Sequence, residues 1–243
     1  MFRTSGVRLG VVSAVVLMTA ACGGKEEDMN QTMDSAAAAA SAPAVGSAEY
    51  TLVFRSTWTP ATHPVEYPAA GALTGPHFSG LIGASHNNSF SLFSDGTPPS
   101  PGLERLSEEG KHDPLDAEIR AATGAGGVGT LFESGPLRDF ADSVVTTVTV
   151  DEAHPLISFV AMVAPSPDWF TGASRVNLLE NGAWVPSRTI TLNAWDSGGD
   201  DGVTYKSADR NTDPKKPTMQ AATKHFVVNG QAVPVATVVI TRR

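Results

Sequence analysis

The chain has 243 residues and carries 17 Lys and Arg against 25 Asp and Glu, a formal net charge of −8. That balance argues against nucleic acid and anionic lipid surfaces as partners, because both repel an acidic protein. Cys22 is the only cysteine, which excludes an intramolecular disulfide, and the length suits one domain with a full core.

The first residues read as a leader rather than as fold. Arg3 and Arg8 give a positive start, and Leu9 to Ala20 is an apolar run too short to span a bilayer comfortably. Thr19-Ala20-Ala21-Cys22 follows. Small residues before a cysteine resemble the lipobox of bacterial lipoproteins, in which the leader is cut before the cysteine and the thiol is lipidated. Residues 1–21 are therefore expected to be a signal peptide, with Cys22 as a lipid anchor and the only link to the membrane. The alternative is an ordinary signal peptide cut nearby. Gly23 after the cysteine, in place of Asp, implies by the same resemblance an outer-membrane location in the cell envelope, periplasmic or surface-exposed. Losing Arg3 and Arg8 takes the net charge from −8 to −10. Residues 22–48 then read as a disordered tether. They hold the charge cluster Lys25-Glu26-Glu27-Asp28 and an Ala/Ser/Pro stretch from Asp34 to Pro43, with no apolar face to bury.

Residues 49–243 read as one mostly β domain. Tyr50 to Phe54 alternates with Tyr50, Leu52 and Phe54 on one face. Leu103 to Glu109 predicts a short helix ended by Gly110, and Asp113-Pro114-Leu115 predicts an N-cap with proline at N1 of a helix running to Ala122. Gly124 to Gly129 reads as a flexible linker, since no Lys-Ser/Thr follows to make a phosphate cradle. Ser143 to Val150 is rich in β-branched residues, and Leu156 to Val163 is nearly all apolar, as in a central sandwich strand. Arg175 to Leu179 and Trp184 to Leu192 flank Asn181-Gly182, a strong tight-turn signal. Phe226 to Val228 and Val233 to Ile240 flank Asn229-Gly230 in the same way. Spacing and turn chemistry favour a two-sheet antiparallel sandwich with one or two short helices.

Two acidic loops stand out. Pro165-Ser166-Pro167-Asp168-Trp169-Phe170 follows the apolar strand, and Asp196-Ser197-Gly198-Gly199-Asp200-Asp201-Gly202 comes one hairpin later. Two prolines stiffen the first loop, because each fixes its own φ and biases its predecessor toward extended backbone. Tracing the strands up, down and up again puts both loops at one end of the sandwich. Carboxylates at a shared loop end suit a hard cation with oxygen ligands. Asp168 and Asp196 are the candidate anchors and Asp200 and Asp201 further candidates, one of them through water, with Gly198, Gly199 and Gly202 letting the second loop wrap an ion. The competing reading is that these are turn-forming aspartates that cap backbone amides. The six histidines are scattered. A zinc site from His63, His77 and His86 competes with simple hydrogen bonding to loop backbone. No Gly-x-Ser-x-Gly elbow or general-base constellation is present, so the residues offer little support for an enzyme.

The motifs also carry a resemblance. Val53-Phe54-Arg55-Ser56-Thr57-Trp58, His63-Pro64, Tyr67-Pro68, His77-Phe78-Ser79 and Gly83-Ala84-Ser85-His86 resemble the opening of the spondin N-terminal domain family. Gly102-Leu103 through Gly110, His154-Pro155-Leu156-Ile157-Ser158-Phe159, Pro165 to Gly172, Trp184, Asp196, Gly198, Asp200, Gly202 and Tyr205 continue it in order. The resemblance implies a C2-like, all-β antiparallel sandwich of about eight strands with calcium at a loop end. It implies extracellular adhesion or matrix binding to a macromolecule, without catalysis. By motif, Asp168 and Asp196 match calcium ligands of the family. A third family ligand, a Glu, aligns with Thr149, so Asp151 or Glu152 is expected to compensate. The rival expectations are a metal-dependent hydrolase using the same loops and a metal-free structural envelope protein.

Overall fold

The computed structural model describes residues 45–69, 75–138 and 143–243. The expected signal peptide, the Cys22 anchor and all but the last residues of the tether lie outside the described residues. In chain order the elements are β1 (Ala48–Ser56), β2 (His77–His86), α1 (Pro101–Glu109), α2 (Leu115–Gly124), β3 (Val128–Leu137), β4 (Val144–Val150), β5 (Leu156–Ala164) and β6 (Trp169–Asn177). Then follow β7 (Leu179–Glu180), β8 (Ala183–Trp184), β9 (Ser187–Leu192), β10 (Ala194–Asp196), β11 (Met219–Gln220), β12 (Val227–Val228), β13 (Gln231–Ala232) and β14 (Ala236–Arg242).

Among the described residues the strands build two main sheets, one ordered β4-β1-β14-β9 and the other β11-β10-β6-β5-β2-β3. Every pairing in them is antiparallel. The expected all-β sandwich is what the chain forms, and Pro43–Arg243 makes one compact unit. Its inner core joins Tyr50, Leu52 and Phe54 of β1 and Val238 and Ile240 of β14 to Phe159, Ala161 and Val163 of β5. A second apolar cluster lies on the other face of the larger sheet. There Leu103, Leu106, Leu115 and Ile119 of the two helices cover Ile82, Val160 and Phe170. β5 is therefore buried on both faces along its whole length, which is why its sequence is continuously apolar rather than alternating.

The turns follow their residues. Asn181 and Gly182 have φ of 52° and 73°, and Asn229 and Gly230 have 51° and 76°, the double left-handed geometry that tight hairpins need. They close the small β7–β8 and β12–β13 ladders. Helix α1 starts at Ser100, whose Oγ accepts the Leu103 N–H at 3.2 Å, and stops at Gly110 with φ 67°.

Several expectations need correction. Asp113 does not cap α2. Pro114 holds the cap position with no side-chain hydrogen bond, and Asp113 instead pairs with Arg105 at 2.8 Å. The Gly124–Gly129 stretch is no linker, because it ends α2 and Val128 already begins β3. The Trp184–Leu192 run is not one strand. The chain breaks after Trp184 and re-forms at Ser187 in the smaller sheet, since Pro186 has no N–H for a ladder.

Candidate functional site

The acidic loop end is built by the β5–β6 and β9–β10 connections. β5 ends at Ala164, and Ser166 folds the Pro-rich loop by accepting the Trp169 N–H on its Oγ at 3.0 Å. β6 then starts, so Asp168 is held one residue before a central strand. After β9 the chain crosses from the smaller sheet to the larger one at Asn193, and β10 pairs Asp196 with Trp169. Asp168 and Asp196 thus come to the same end of the sandwich, as traced from the strands.

The next loop folds around Asp168, which is fully buried. Its Oδ2 accepts the Ser197 hydroxyl at 2.9 Å and the N–H groups of Gly198, Gly199 and Asp200 at 3.0, 2.9 and 3.2 Å. Successive amides aimed at one oxygen form an anion nest. Gly198 makes this possible. Its φ is 84°, and a Cβ there would lie 2.2 Å from the Lys216 carbonyl oxygen. The nest is tied down by hydrogen bonds from Lys216 N–H to Gly198 O at 2.9 Å and from Thr212 N–H to Gly199 O at 2.8 Å.

Asp168 Oδ1, by contrast, is buried with no hydrogen-bond partner. Burial raises the Asp168 carboxyl above its ordinary range despite the Ser197 hydroxyl and the three amides. Asp196 is pushed up to about 6 by burial and then by the neighbouring Asp168 charge. The Gly198 N–H at 3.0 Å opposes the rise. The Trp169 indole, which makes no well-formed hydrogen bond, also opposes it. Trp169 is fully buried and packs edge-on to Phe226 and Tyr205, with ring centroids 4.9 and 5.4 Å away. Its backbone follows Asp168 and pairs with Asp196 in the β6–β10 ladder, so both carboxylates adjoin this aromatic packing.

Asp200 lends its amide to the nest, but its carboxylate closes the loop by accepting the N–H groups of Gly202 and Arg210. Thr149 is not at this end at all. Register pairs it with Glu49, at the end of β1 away from Ser56 and from the acidic loops. Asp151 accepts the His154 N–H at 2.8 Å, and Glu152 accepts the Gly46 N–H at 3.1 Å. The expected compensation by Asp151 or Glu152 is therefore ruled out by topology. The histidines of the zinc alternative each bond elsewhere: His63 to Val233 O at 3.2 Å, His77 to Gly75 O at 2.9 Å and His86 to Asn87 O at 2.8 Å. His86 Nε2 also lies 2.8 Å from Ser158 Oγ, yet both residues are fully buried. Ser158 Oγ accepts the Arg175 N–H at 2.8 Å across an irregularity in the β5–β6 ladder, so the pair is a structural tie.

What the loop reading missed is helix α1. Glu104 and Glu108 sit one turn apart on its face toward the nest, and Lys215 Nζ bridges Glu104 Oε1 at 2.5 Å and Gly199 O at 3.3 Å. Glu108 is raised to about 7 by burial, then by Glu104, with Asp168 and Asp200 adding and Lys215 opposing. The available signal was two like charges four residues apart on a short helix, an arrangement that is unfavourable unless something answers it. Among the described residues, no group of three or more His, Cys, Asp or Glu side chains is placed to hold a metal ion as it stands.

Comparison with known proteins agrees with this architecture. The family model described as Spondin_N matches residues 48–231. Spondin-1 of Homo sapiens is 33% identical over 181 residues, covering 71% of this chain and 22% of its own length. Spondin-1 of Xenopus laevis is 31% identical over 217 residues, covering 82% of this chain and 26% of its own. Spondin-2 of Homo sapiens is 30% identical over 171 residues, covering 69% of this chain and 50% of its own. The matched region thus spans half or less of each of these relatives. With a buried apolar β5, the Pro-Ser-Pro-Asp-Trp-Phe loop and the nest that follows all inside the matched region, the chain belongs to the spondin N-terminal domain family.

Proposed function

We propose that this chain is an extracytoplasmic recognition module, without catalysis, that binds calcium at the acidic loop end. The observation that carries the metal is Asp168 Oδ1, a buried carboxylate oxygen with no donor beside a second half-buried carboxylate, Asp196. Two such groups repel and are poorly hydrated, and a cation between them answers both costs. The donor set fits calcium, which takes roughly 6–8 oxygens and accepts carboxylate and backbone ligands in irregular geometry. Asp168 and Asp196 would hold the ion. Asp200 joins them by giving up one of its turn-closing amides. Bound calcium supplies positive charge and cross-links the β5–β6 and β10 loops. The chain's own part is to pre-organise Asp168 through the nest and Trp169, so that ordering a mobile loop adds little to the cost of binding.

The role in adhesion to a cell-surface or matrix macromolecule rests on family membership, and the lipid anchor rests on the Thr19–Cys22 stretch. Calorimetric titration of the full chain with calcium, followed by thermal melting, tests the metal. Saturation at about 100 times Kd should stabilise by about 2.7 kcal/mol, which for a domain of this size is a rise on the order of 5–10 °C. The Asp168→Asn/Asp196→Asn double variant should lose that rise. No heat and no shift in the unmutated protein would leave a metal-free structural module. Cys22→Ser should release the protein from membranes, and unchanged retention would count against the anchor.

A further inference from the structure

We infer that Glu108, on helix α1, is a further calcium ligand beside Asp168, Asp196 and Asp200. The inference rests on the calcium reading above and adds to it a residue from a third element of the fold. Three observations support it.

The first is position. A Cβ placed on Gly199 would lie 2.8 Å from Glu108 Oε1 and 3.1 Å from Glu104 Cγ. Gly199 is one of the residues whose amide holds Asp168. The Glu108 carboxylate is thus packed directly on the loop that cradles the buried aspartate, and the absence of a side chain at Gly199 is what admits it.

The second is an unmet requirement. Glu104, one turn earlier, is answered by Lys215. Glu109, the next residue, is answered by Lys111 at 2.6 Å and Arg105 at 3.6 Å. Among the described residues Glu108 alone of these three has neither a hydrogen bond nor an ion pair. It is half-buried all the same. A half-withdrawn carboxylate facing other carboxylates, with no donor of its own, is costly unless a cation is shared.

The third is independent of the helix. The fully buried Asp168 carries an oxygen without a partner while its other oxygen is saturated by four donors. Glutamate has three side-chain torsions, so Glu108 can turn its oxygens toward an ion without moving the helix. Calcium would then join α1, the β5–β6 loop and β10. The seating of α1 on the larger sheet becomes linked to calcium.

The test compares the full chain with Glu108→Gln and with Glu109→Gln, the exposed neighbour, as control. Calcium affinity is read by calorimetry, stability by melting in chelator, and α1 order by amide hydrogen exchange with and without calcium. Glu108→Gln should weaken calcium binding at least tenfold. It should melt no lower than the parent in chelator, because it removes a repulsion, and should lose the calcium-dependent protection of the α1 amides. Glu109→Gln should bind within about twofold of the parent. Glu108→Asp, which keeps the charge and shortens the reach, should retain the fold and part of the affinity. If the parent binds calcium and Glu108→Gln binds equally well, the inference is overturned while the calcium reading stands. Weaker binding together with a lower melting temperature in chelator would make Glu108 a structural support and overturn it too. If the parent does not bind calcium, both readings fall.

Discussion

Asp168 gives its two oxygens opposite environments, and substitutions can separate them. Asparagine keeps an acceptor for the nest, whereas alanine removes the oxygen shared by the Ser197 hydroxyl and three amides, of which Gly198 N–H keeps Asp196 Oδ1 and Gly199 N–H keeps Ser197 Oγ. At about 1 kcal/mol per lost bond, more where a donor stays buried and unpaired, Asp168→Ala should cost on the order of 3 kcal/mol in chelator. Asp168→Asn should cost clearly less, and urea denaturation of the two measures the gap. The carboxylates also predict a pH response. Asp196 is raised from 3.8 to about 6 and Glu108 from 4.5 to about 7, so the folded state binds more protons than the unfolded one between those limits. Their contribution to stability is therefore fully present below the unfolded values and is lost as pH rises through the folded ones. His63 and His86, lowered by burial, act with the opposite sign below about 6.5. The carboxylate part is read by difference. Calcium-free parent minus Asp196→Asn should fall as pH rises from 4 to 7, and a flat difference would refute the shared burial of the two aspartates. The residues themselves pointed to Asp168 and Asp196, because proline stiffness and glycine turns are local properties. Glu108 was not legible, because its meaning depends on where a helix docks. Thr149 misled for a related reason: its closeness in sequence to the His154 strand says nothing about which end of the sandwich it occupies.

At the scale of elements, two short signals carry much of the local order. Ser100→Ala removes the α1 cap and should cost about 1 kcal/mol, with calcium affinity falling if α1 is part of the site. Gly198→Ala meets both a left-handed backbone and the Lys216 carbonyl, and should cost at least about 2 kcal/mol while opening the nest. Circular dichroism melts of both variants check the order of the two effects. The strands that alternate or run apolar, β1, β4 and β5, were readable because side-chain burial dictates their pattern. β2 was hidden by its glycines. Gly83 presses so close to β5 that a Cβ would lie 2.3 Å from the Ser158 carbonyl oxygen, so the strand needs a residue with low strand preference. β3 was hidden in the same way behind Gly124 to Gly129. The switch from β9 to β10 left no clear mark, since one asparagine suffices to change sheets.

At the scale of the whole molecule, the smaller sheet depends on a strand beyond the region matched by the family model. β14 lies between β1 and β9, with Val238 and Ile240 fully buried against the inner core. Truncation after Gln231 removes it and leaves β1 and β9 with no common neighbour. Such a protein should fail to fold, as seen by loss of dispersed amide signals, although it keeps the whole Spondin_N match. A stable, folded truncated form would show that the six-stranded sheet and its helices stand alone.

β1 enters the domain at Ala48 and runs toward Ser56, the end that carries the acidic loops, with β4 on one side and β14 on the other. The point where the chain enters β1 and the candidate binding end are therefore at opposite ends of one strand. A pull between them runs along β1 and loads both flanking ladders in shear, with their hydrogen bonds strained together rather than opened one by one. Under the proposed anchor and ligand, a domain strung this way would resist being drawn apart when the two are pulled in opposite directions.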